Sequence, residues 1–480
     1  MNNTTQPAVN INTEQELEKH LTSGDLPRAR EIIESIEPGA ISDIKQLLQF
    51  SAVYRGLGDQ PRAVEFSAMA ANLHPDNAAV LLVYAQNLLI LGDIDQSEAV
   101  LNEISAQTPE MSKQVQLHRS MILYQRKDFR ATTKLLVDLV KQNPTFAAAH
   151  LELGHSLLMD GKWRAGWIEY EWRFELPKSK NQYPRFKMPY WDGSANTPHL
   201  LLLGDQGYGD CFQFSRYIPM VRERCKRISL ARSDPLARLF NISVPWVDMS
   251  YTQWKDTPAA SAYCALSSLP RFFATQPDTI PDNTGILRAR DDDITRWKKQ
   301  LDDMGTNPVL RIGLAWSGRL EFDTNFLRAV PFEILEPLLD IPGVEFYSLQ
   351  VGAPSEQAKG KKITDLSLQL HDFAETAAVM EALDLVITSD TSIAHLAGAL
   401  DRPTWVLLSY APDWRWGAKG SSSPWYSGMQ LFRQDQDRSW QSTVDKCKLA
   451  LLNIINTEDP RASLAAATEE NYQNGTNPYL

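Results

Sequence analysis

A short polar turn between an apolar strand and a helix is the part of the chain best equipped for chemistry. An apolar run at 383–388 predicts a strand, Asp390, Thr391 and Ser392 follow it, and a helix and a second apolar strand at 404–408 come next. Free backbone N–H groups and the positive end of the helix dipole make such a turn an anion site. The Asp390 carboxylate can accept hydrogen bonds from sugar hydroxyls, and the two side-chain hydroxyls can donate to phosphate. The alternative is that these residues only cap the helix, for which their types are well suited.

A glycine-rich turn, GDQGYGD at 204–210, is the second candidate site. It follows an apolar run at 200–203 that predicts a strand, and it precedes a predicted helix at 212–224. Such a unit lets the backbone approach a ligand closely. Its residues of interest are Gly204, Gln206, Gly207 and Gly209. The glycine spacing reverses the order of a dinucleotide fingerprint, and no acidic residue ends a second strand about 20 residues later. A nicotinamide cofactor is therefore disfavoured.

Asp210 closes this turn at the start of the predicted helix. A carboxylate in that position can remove a proton from a hydroxyl as the hydroxyl attacks. The alternative is a helix cap, which is common for Asp. The two roles are compatible, because the start of such a helix already lies at the carboxyl edge of the strands.

The elements that must position these residues form two α/β lobes. In the second lobe, strands are predicted at 309–316 and 344–349, and helices at 332–339 and 372–383. This alternation favours a doubly wound parallel sheet. A last predicted helix at 439–455 is expected to cross back to the first lobe.

The N-terminal third is a repeat. The turns Gly24-Asp25, Gly58-Asp59, Gly92-Asp93, Lys127-Asp128 and Gly161-Lys162 follow one another at intervals of 34, 34, 35 and 34 residues. Small residues recur five positions after each turn, at Ala29, Ala63, Ser97, Thr132 and Gly166. They also recur seven positions before four of the turns, at Ser51, Ala85, Ser120 and Gly154. Prolines at 75, 109 and 144 close three units. The period and the small positions resemble the tetratricopeptide repeat, a pair of antiparallel helices.

A stack of such repeats presents a concave face that usually holds a peptide or a partner protein. The alternative is that the helices only brace the next domain or mediate dimerisation. The last unit carries Trp163, Trp167, Tyr170 and Trp172, which are expected to pack against the following domain rather than to bind a ligand.

The composition of the chain excludes several classes of protein. Apolar residues make up 43% and charged residues 22%, as in ordinary globular proteins, and the net charge of −11 argues against nucleic acid as a main partner. The N-terminus lacks the pattern of a secretory signal, and no run is long enough to span a bilayer. Cys211, Cys225, Cys264 and Cys447 match no metal spacing, which favours reduced thiols in the cytoplasm.

These patterns divide the chain into five predicted parts. They are tetratricopeptide repeats at 12–176, a proline-rich linker at 177–198, a first lobe at 199–300, a second lobe with the crossing helix at 307–456, and a mobile tail at 457–480.

Several local motifs, in order along the chain, resemble the GT-B glycosyltransferases, and most closely the bacterial tetratricopeptide-repeat glycosyltransferases related to lipopolysaccharide heptosyltransferases. The motifs are WDG at 191–193, GDQGYGD, SLP at 268–270, LAWSG at 314–318, LRAVP at 327–331, SLQ at 348–350, SDTSIAHLAGAL at 389–400 and APDWRWG at 411–417. The resemblance covers about residues 10–455. It implies an α-solenoid followed by two Rossmann-like lobes.

The resemblance also implies roles for particular residues. Asp210 matches the proposed general base, and Asp390 matches an aspartate that contacts the donor sugar. Donor phosphates are expected at Ser317, Gly318, Arg328, Thr391, Ser392 and His395. Gln350 matches the position at which members of the family contact the nucleotide base. The alternatives are a surface ion pair for Arg328, a core histidine for His395 and a strand-end residue for Gln350. The turn after Trp316 departs from the family pattern, since it lacks the more basic, asparagine-rich stretch.

The reaction so implied is transfer of a sugar from a nucleotide sugar to a hydroxyl. One carboxylate base with no opposing nucleophile favours inversion. No metal or other cofactor is expected, and the aspartate runs at 291–293 and 435–437 are interpreted as solvated charge. The repeats favour a protein acceptor, and the family makes flagellin a candidate. The alternatives are a glycan or lipopolysaccharide-core acceptor, or a non-catalytic scaffold with a degenerate transferase fold.

Overall fold

The structure is a computed structural model that describes residues 11–36, 43–105, 108–180, 183–184, 186–247, 249–251, 257, 259–282, 286–304, 308–320, 322, 324–474 and 479. Its chain divides into two compact units. The first contains residues up to Pro144 together with Gly318–Arg328, and the second contains Thr145–Ser317 and Ala329 to the end. No helix in the described ranges is long and apolar enough to cross a membrane. The four cysteines are free and buried.

Antiparallel helix pairs build the N-terminal part, as the 34-residue period predicts. The helices of the first unit are α1 Ile11–Ser23, α2 Leu26–Glu34, α3 Ile44–Gly56, α4 Gln60–Leu73, α5 Ala78–Leu91, α6 Ile94–Glu103, α7 Pro109–Gln125 and α8 Phe129–Gln142. All the predicted turn positions, Gly24, Gly58, Gly92, Lys127 and Gly161, have positive φ angles. Asp25, Asp59, Asp93 and Asp128 then cap the second helix of their pairs.

The predicted small residues lie where the paired helices cross. Ala29, Ala63, Ala85 and Ser97 are fully buried. The Ser51 hydroxyl donates to the carbonyl of Ala63 at 2.8 Å, and that of Ser97 donates to Ala85 at 2.7 Å. These bonds from short side chains to the facing helix explain why larger side chains are absent there, and they confirm the repeat.

The fifth repeat lies within the second compact unit. Its helices are α9 Ala147–Met159 and α10 Trp163–Tyr170, and the short α11 Pro177–Lys180 follows. Trp163 stacks on Trp425 with ring centroids 5.3 Å apart, and Trp167 lies edge-on to Trp414 at 5.3 Å. These rings are buried among residues that follow in the chain, as expected. Trp172, which is only half-buried, stacks instead on a histidine of its own repeat.

The first lobe is a four-stranded parallel sheet of order β3-β2-β1-β4. Its elements are β1 Leu200–Leu203, α12 Tyr208–Phe214, α13 Ile218–Arg224, β2 Ile228–Ala231, α14 Ala237–Ser243, β3 Met249–Tyr251, β4 Ala262–Ala265, α15 Leu269–Phe272 and α16 Asp291–Met304. The predicted helix at 212–224 is thus two helices, separated by a 3-10 turn at Ser215–Tyr217.

The second lobe is a six-stranded parallel sheet of order β10-β9-β8-β5-β6-β7. Its elements are β5 Leu310–Ala315, α17 Asn325–Arg328, α18 Phe332–Leu339, β6 Val344–Ser348, β7 Thr364–Asp365, α19 Phe373–Glu381, β8 Leu385–Ser389, α20 Ser392–Ala399, β9 Thr404–Leu408, β10 Met429–Arg433, α21 Trp440–Ile455 and α22 Pro460–Asn474. The order reverses between β5 and β8. Ligands of open α/β sheets bind at such a reversal, beyond the carboxyl ends of the strands.

Two predictions at the C-terminus are wrong. Helix α21 packs on its own lobe, where Val444, Cys447 and Leu451 join the core of β5, β8 and β9, so it is not a crossing helix. Residues 460–474 form α22, although a mobile tail was predicted. Leu464 of α22 is 3% exposed in the same core, and the Asn471 amide donates to the carbonyl of Met429 at 2.9 Å.

Candidate functional site

The glycine-rich turn places the carboxylate of Asp210 at the carboxyl edge of the first lobe. Gly207 is the N-cap of α12, and Asp210 lies in the first turn of that helix, so the side chain of Asp210 is not the cap. A Cβ atom on Gly207 would lie 2.6 Å from Oδ2 of Asp210. The carboxylate therefore folds back over the turn, into space that only glycine leaves open. Gly204 follows β1 directly, and Gln206 is exposed at the tip of the turn.

Asp210 forms an ion pair with a residue of the second lobe. Nη2 of Arg415 donates to Oδ1 of Asp210 at 2.6 Å. Arg415 lies in the segment between β9 and β10, and its side chain is 10% exposed. The pair therefore joins the two lobes at the point where their carboxyl edges meet.

Several neighbours hold the guanidinium of Arg415. Nη1 donates to Asp413 at 2.8 Å, Nε donates to Oε1 of Gln213 at 2.7 Å, and the group lies 4.5 Å from the ring centre of Trp414. Nη2 also approaches the hydroxyl of Tyr170, at 3.4 Å. Burial alone would lower the pKa of Arg415, but the charges of Asp413 and Asp210 hold it well above its ordinary value. Arg415 is thus a fixed cation beside Asp210.

A second carboxylate, Asp205, lies in the same turn with different surroundings. It is 9% exposed and accepts hydrogen bonds from the Ser267 backbone N–H at 2.9 Å, from the Ser267 hydroxyl and from the Tyr183 hydroxyl. Ser267 follows β4, so these bonds span the strand reversal between β1 and β4. Burial, and then the charge of Asp210, raises the pKa of the Asp205 carboxyl to about 6, against the opposing charge of Arg173.

The fifth repeat reaches this turn through Arg173. Its Nη2 donates to the hydroxyls of Ser267 and Ser268 at 2.7 and 2.6 Å, and its Nη1 pairs with Glu171 at 2.8 Å. The hydroxyl of Ser268 in turn donates to Glu171 at 2.7 Å. The last repeat therefore braces the segment that holds Asp205.

The polar turn of the second lobe lies beyond the carboxyl end of β8. Thr391, not Asp390, is the N-cap of α20, and its hydroxyl oxygen accepts from the backbone N–H of Ile393 at 3.2 Å. Ser392 is the first residue of the helix, and Asp390 precedes the cap with 8% exposure. The capping role therefore falls to Thr391 and not to Asp390.

His395 lies in the contact between α12 and α20. A Cβ atom on Gly209 would be 2.7 Å from Cδ2 of His395, so glycine permits this close approach of the two helices. The His395 ring stacks on Trp416 at 5.1 Å, and its Nδ1 is 3.0 Å from the hydroxyl of Tyr426. The structure thus brings Asp210, Gly207 and Gly209 of one lobe together with His395 of the other.

The turn after β5 is braced by Gln350. Its Oε1 accepts from the backbone N–H groups of Trp316 and Ser317 at 3.0 and 2.9 Å, and its Nε2 donates to Val351 at 3.2 Å. These bonds support the strand-end role that was the alternative for Gln350. Contact with a nucleotide base stays a prediction.

Gly318 and Arg328 lie on the segment that belongs to the first unit. The N–H of Gly318 donates to Oδ1 of Asn325 at 2.7 Å, and a Cβ atom on Gly318 would be 3.2 Å from Nη2 of Arg328. Nε of Arg328 has no hydrogen-bond partner among the described residues. Arg328 therefore lies beside the predicted phosphate turn, and its Nε–H is available to donate a hydrogen bond. Its meeting with Thr391 and Ser392 stays a prediction.

Sequence reasoning missed the contributions of Arg415, Asp205 and Tyr170. Arg415 lies within APDWRWG, one of the motifs that carried the resemblance, where a charged pair at 413 and 415 alternates with aromatic residues. An arginine next to tryptophans and close to an aspartate often stacks on the aromatic rings and forms a buried ion pair. Nothing local shows that its partner lies 205 positions earlier in the chain.

The described residues thus contain helical repeats and two parallel-sheet lobes, with Asp210 and Asp390 beyond the carboxyl ends of β1 and β8, as the resemblance to the GT-B glycosyltransferases implies. Residues 357–446 match the family model of glycosyltransferase family 9 (heptosyltransferase). The matched range includes Asp390, Thr391, Ser392, His395 and Arg415.

Comparison with known proteins adds one relative along most of the chain. The chain is 25% identical over 445 residues to Protein FlbA of Caulobacter vibrioides, covering 85% of this chain and 73% of that protein. The match to the family model confirms the predicted resemblance to heptosyltransferase-like enzymes, and the protein is a glycosyltransferase.

Solved structures show weaker likenesses. A glycosyl transferase of family 9 from Veillonella parvula has a TM-score of 0.42 at 9% identity, covering 57% of this chain and 99% of that one. The ADP-heptose heptosyltransferase II of E. coli has a TM-score of 0.34 at 13% identity, covering 57% and 99%. A mutant O-GlcNAc transferase of Thermobaculum terrenum has a TM-score of 0.31 at 13% identity, covering 90% and 97%.

Proposed function

We propose that this glycosyltransferase moves a sugar from a nucleotide-activated donor to a hydroxyl of a protein acceptor, with Asp210 as the general base. The observation that carries the proposal is the position of Asp210. Its carboxylate lies in the first turn of α12, at the edge where this helix contacts α20 of the second lobe. The predicted donor residues Asp390, Thr391 and Ser392 lie at the start of α20.

In the proposed reaction, the acceptor oxygen attacks the anomeric carbon as its proton passes to Asp210. The bond from that carbon to the nucleotide diphosphate breaks, and the diphosphate leaves with the bonding electrons. Backbone N–H groups at the start of α20 are proposed to stabilise the growing negative charge. One base without an opposing nucleophile gives inversion at the anomeric carbon.

The proposed acceptor is a protein held by the repeats. A stack of tetratricopeptide helices offers a concave face of a kind that binds peptides. The family resemblance makes flagellin the first acceptor to test.

The first experiment is a thermal-shift screen of nucleotides and nucleotide sugars, because a selective ligand raises the apparent melting temperature. The stabilising sugar nucleotide is then incubated with flagellin, and transfer is measured as the mass added to the intact acceptor. Failure of every nucleotide sugar to support transfer would contradict the proposed function. Transfer to a lipopolysaccharide core but not to any protein would overturn the acceptor class alone.

Asp210→Asn is expected to reduce the transfer rate by roughly 10²-fold or more, the usual contribution of a positioned base. Donor affinity is expected to change little, because the amide keeps the shape of the carboxylate. The control is Asp234→Asn, which removes an exposed carboxylate from the same lobe. Near-normal turnover in Asp210→Asn would remove Asp210 from the mechanism.

A further inference from the structure

We infer that Arg415 is the positioning residue of the general base: it holds one oxygen of Asp210 and leaves the other to accept the proton. This inference rests on the proposed function. Arg415 does not contact the substrate in this arrangement. It acts only by orienting the carboxylate of Asp210.

The geometry around Asp210 separates the two carboxylate oxygens. Oδ1 accepts from Nη2 of Arg415 at 2.6 Å, and Oδ2 lies over the backbone of Gly207. Among the residues that the structure describes, Arg415 provides the single hydrogen bond to the Asp210 side chain. Oδ2 is therefore the oxygen with capacity for an incoming hydroxyl proton.

Arg415 is rigid enough for this role. Asp413, Gln213 and the face of Trp414 occupy the remaining sides of its guanidinium. A planar guanidinium held on several sides fixes the plane of the carboxylate that it binds. A surface ion pair between two long side chains would lack this restraint.

The pair also links the base to the arrangement of the lobes. Asp210 belongs to the first lobe and Arg415 to the second, so a separation of a few ångströms at this edge breaks the bond. The base is then oriented only when the lobes are in contact. This arrangement would restrict proton removal to the state in which both lobes enclose the substrates.

The test compares Arg415→Gln and Arg415→Lys with the full-length wild type. In Arg415→Gln we expect kcat to fall roughly 10-fold to 100-fold, the cost of a misplaced reacting group. The donor KM should change little. Arg415→Lys keeps a charged donor that can bond to Oδ1 of Asp210, so it should recover part of the lost kcat. The control is Arg402→Gln, which removes a partly buried arginine from the amino edge of the same sheet.

A readout without activity is a double-mutant cycle in melting temperature with Asp210→Asn. The effects of Arg415→Gln and Asp210→Asn should be non-additive, because each change removes the same ion pair. A kcat of Arg415→Gln equal to that of the wild type, or an additive cycle, would overturn this inference while the proposed function stands. A wild type that transfers no sugar from any donor would overturn the proposed function, and this inference with it.

Discussion

At the scale of single residues, the two carboxylates of the glycine-rich turn differ because of what surrounds them. Asp210 faces a fixed guanidinium, whereas Asp205 is buried among hydroxyl and backbone donors. Burial, and then the charge of Asp210, raises the pKa of Asp205 to about 6, above its ordinary value. The folded protein thus favours the protonated form of Asp205.

This difference predicts the pH dependence of stability. A carboxyl whose pKa is raised on folding binds its proton more tightly in the folded state, so the stability that it contributes falls as pH rises. The loss should begin above pH 3.8, the ordinary pKa of the carboxyl, and be complete just above pH 6, its pKa in the folded protein. We therefore expect the melting temperature of the wild type, minus that of Asp205→Asn, to fall between pH 4 and about pH 6.5. A difference that rises across this window would show that Asp205 is ionised in the folded protein at low pH.

Arg328 supports a second residue-scale prediction. Its Nε has no partner among the described residues, and its Nη2 lies beside Gly318. If it binds the donor phosphates, Arg328→Ala should weaken the binding of a nucleoside diphosphate by roughly 10-fold, since hydrogen bonds to charged groups contribute about 1.5–3 kcal/mol. Isothermal calorimetry measures this affinity. Arg319→Ala, which removes an exposed charge from the same segment, is the control. Equal affinities of wild type and Arg328→Ala for the nucleoside diphosphate would show that Arg328 does not bind the phosphates.

At the scale of elements, the segment Gly318–Arg328 packs on the inter-helix turns of the repeats. A Cβ atom on Gly58 would lie 3.1 Å from Cβ of Leu320, and one on Gly92 would lie 3.7 Å from Leu327. The segment that carries the predicted phosphate contacts therefore depends on repeat turns for its support. A protein that binds the repeats and moves these turns would therefore also move the segment Gly318–Arg328.

Two turn glycines provide a matched pair for testing this support. Gly24 and Gly58 have φ angles of 74° and 78°, but an added Cβ meets nothing within 4 Å at Gly24 and meets Leu320 at Gly58. Both alanine variants incur the cost of a left-handed conformation, about 1–2 kcal/mol. We expect Gly58→Ala to have the lower melting temperature and to bind nucleotide more weakly. Indistinguishable variants would show that the segment does not rest on this turn in solution.

At the scale of the whole molecule, the fifth repeat is part of the second compact unit. Its rings of Trp163 and Trp167 are buried against Trp414 and Trp425. Large aromatic side chains contribute much of the energy of such contacts, since each buries about 150–250 Å².

A truncation that starts at Thr145 should therefore retain a cooperative thermal transition, whereas one that starts at Tyr183 should lose it. The shorter chain exposes Trp414 and Trp425 and removes Arg173 from Ser267 and Ser268. Melting curves followed by circular dichroism distinguish the two chains, and nucleotide binding gives a second readout. Cooperative melting of the shorter chain at the same temperature would return the boundary to the predicted linker.

The sequence by itself determined the features that depend on local pattern. The 34-residue period, the small crossing residues and the capped turns fix each helix pair through contacts between near neighbours. Apolar runs and the polar residues after them likewise placed Asp210 and Asp390 at the carboxyl ends of β1 and β8, since parallel strands end at one edge.

Tertiary structure alone decided which distant groups meet. The Arg415 partner of Asp210, the aromatic contacts of the fifth repeat and the burial of Leu464 depend on how loops of variable length return to the core. The predicted crossing of α21 and the predicted mobile tail failed for this reason. The pattern of a helix predicts which of its faces is buried. It does not predict which other element covers that face.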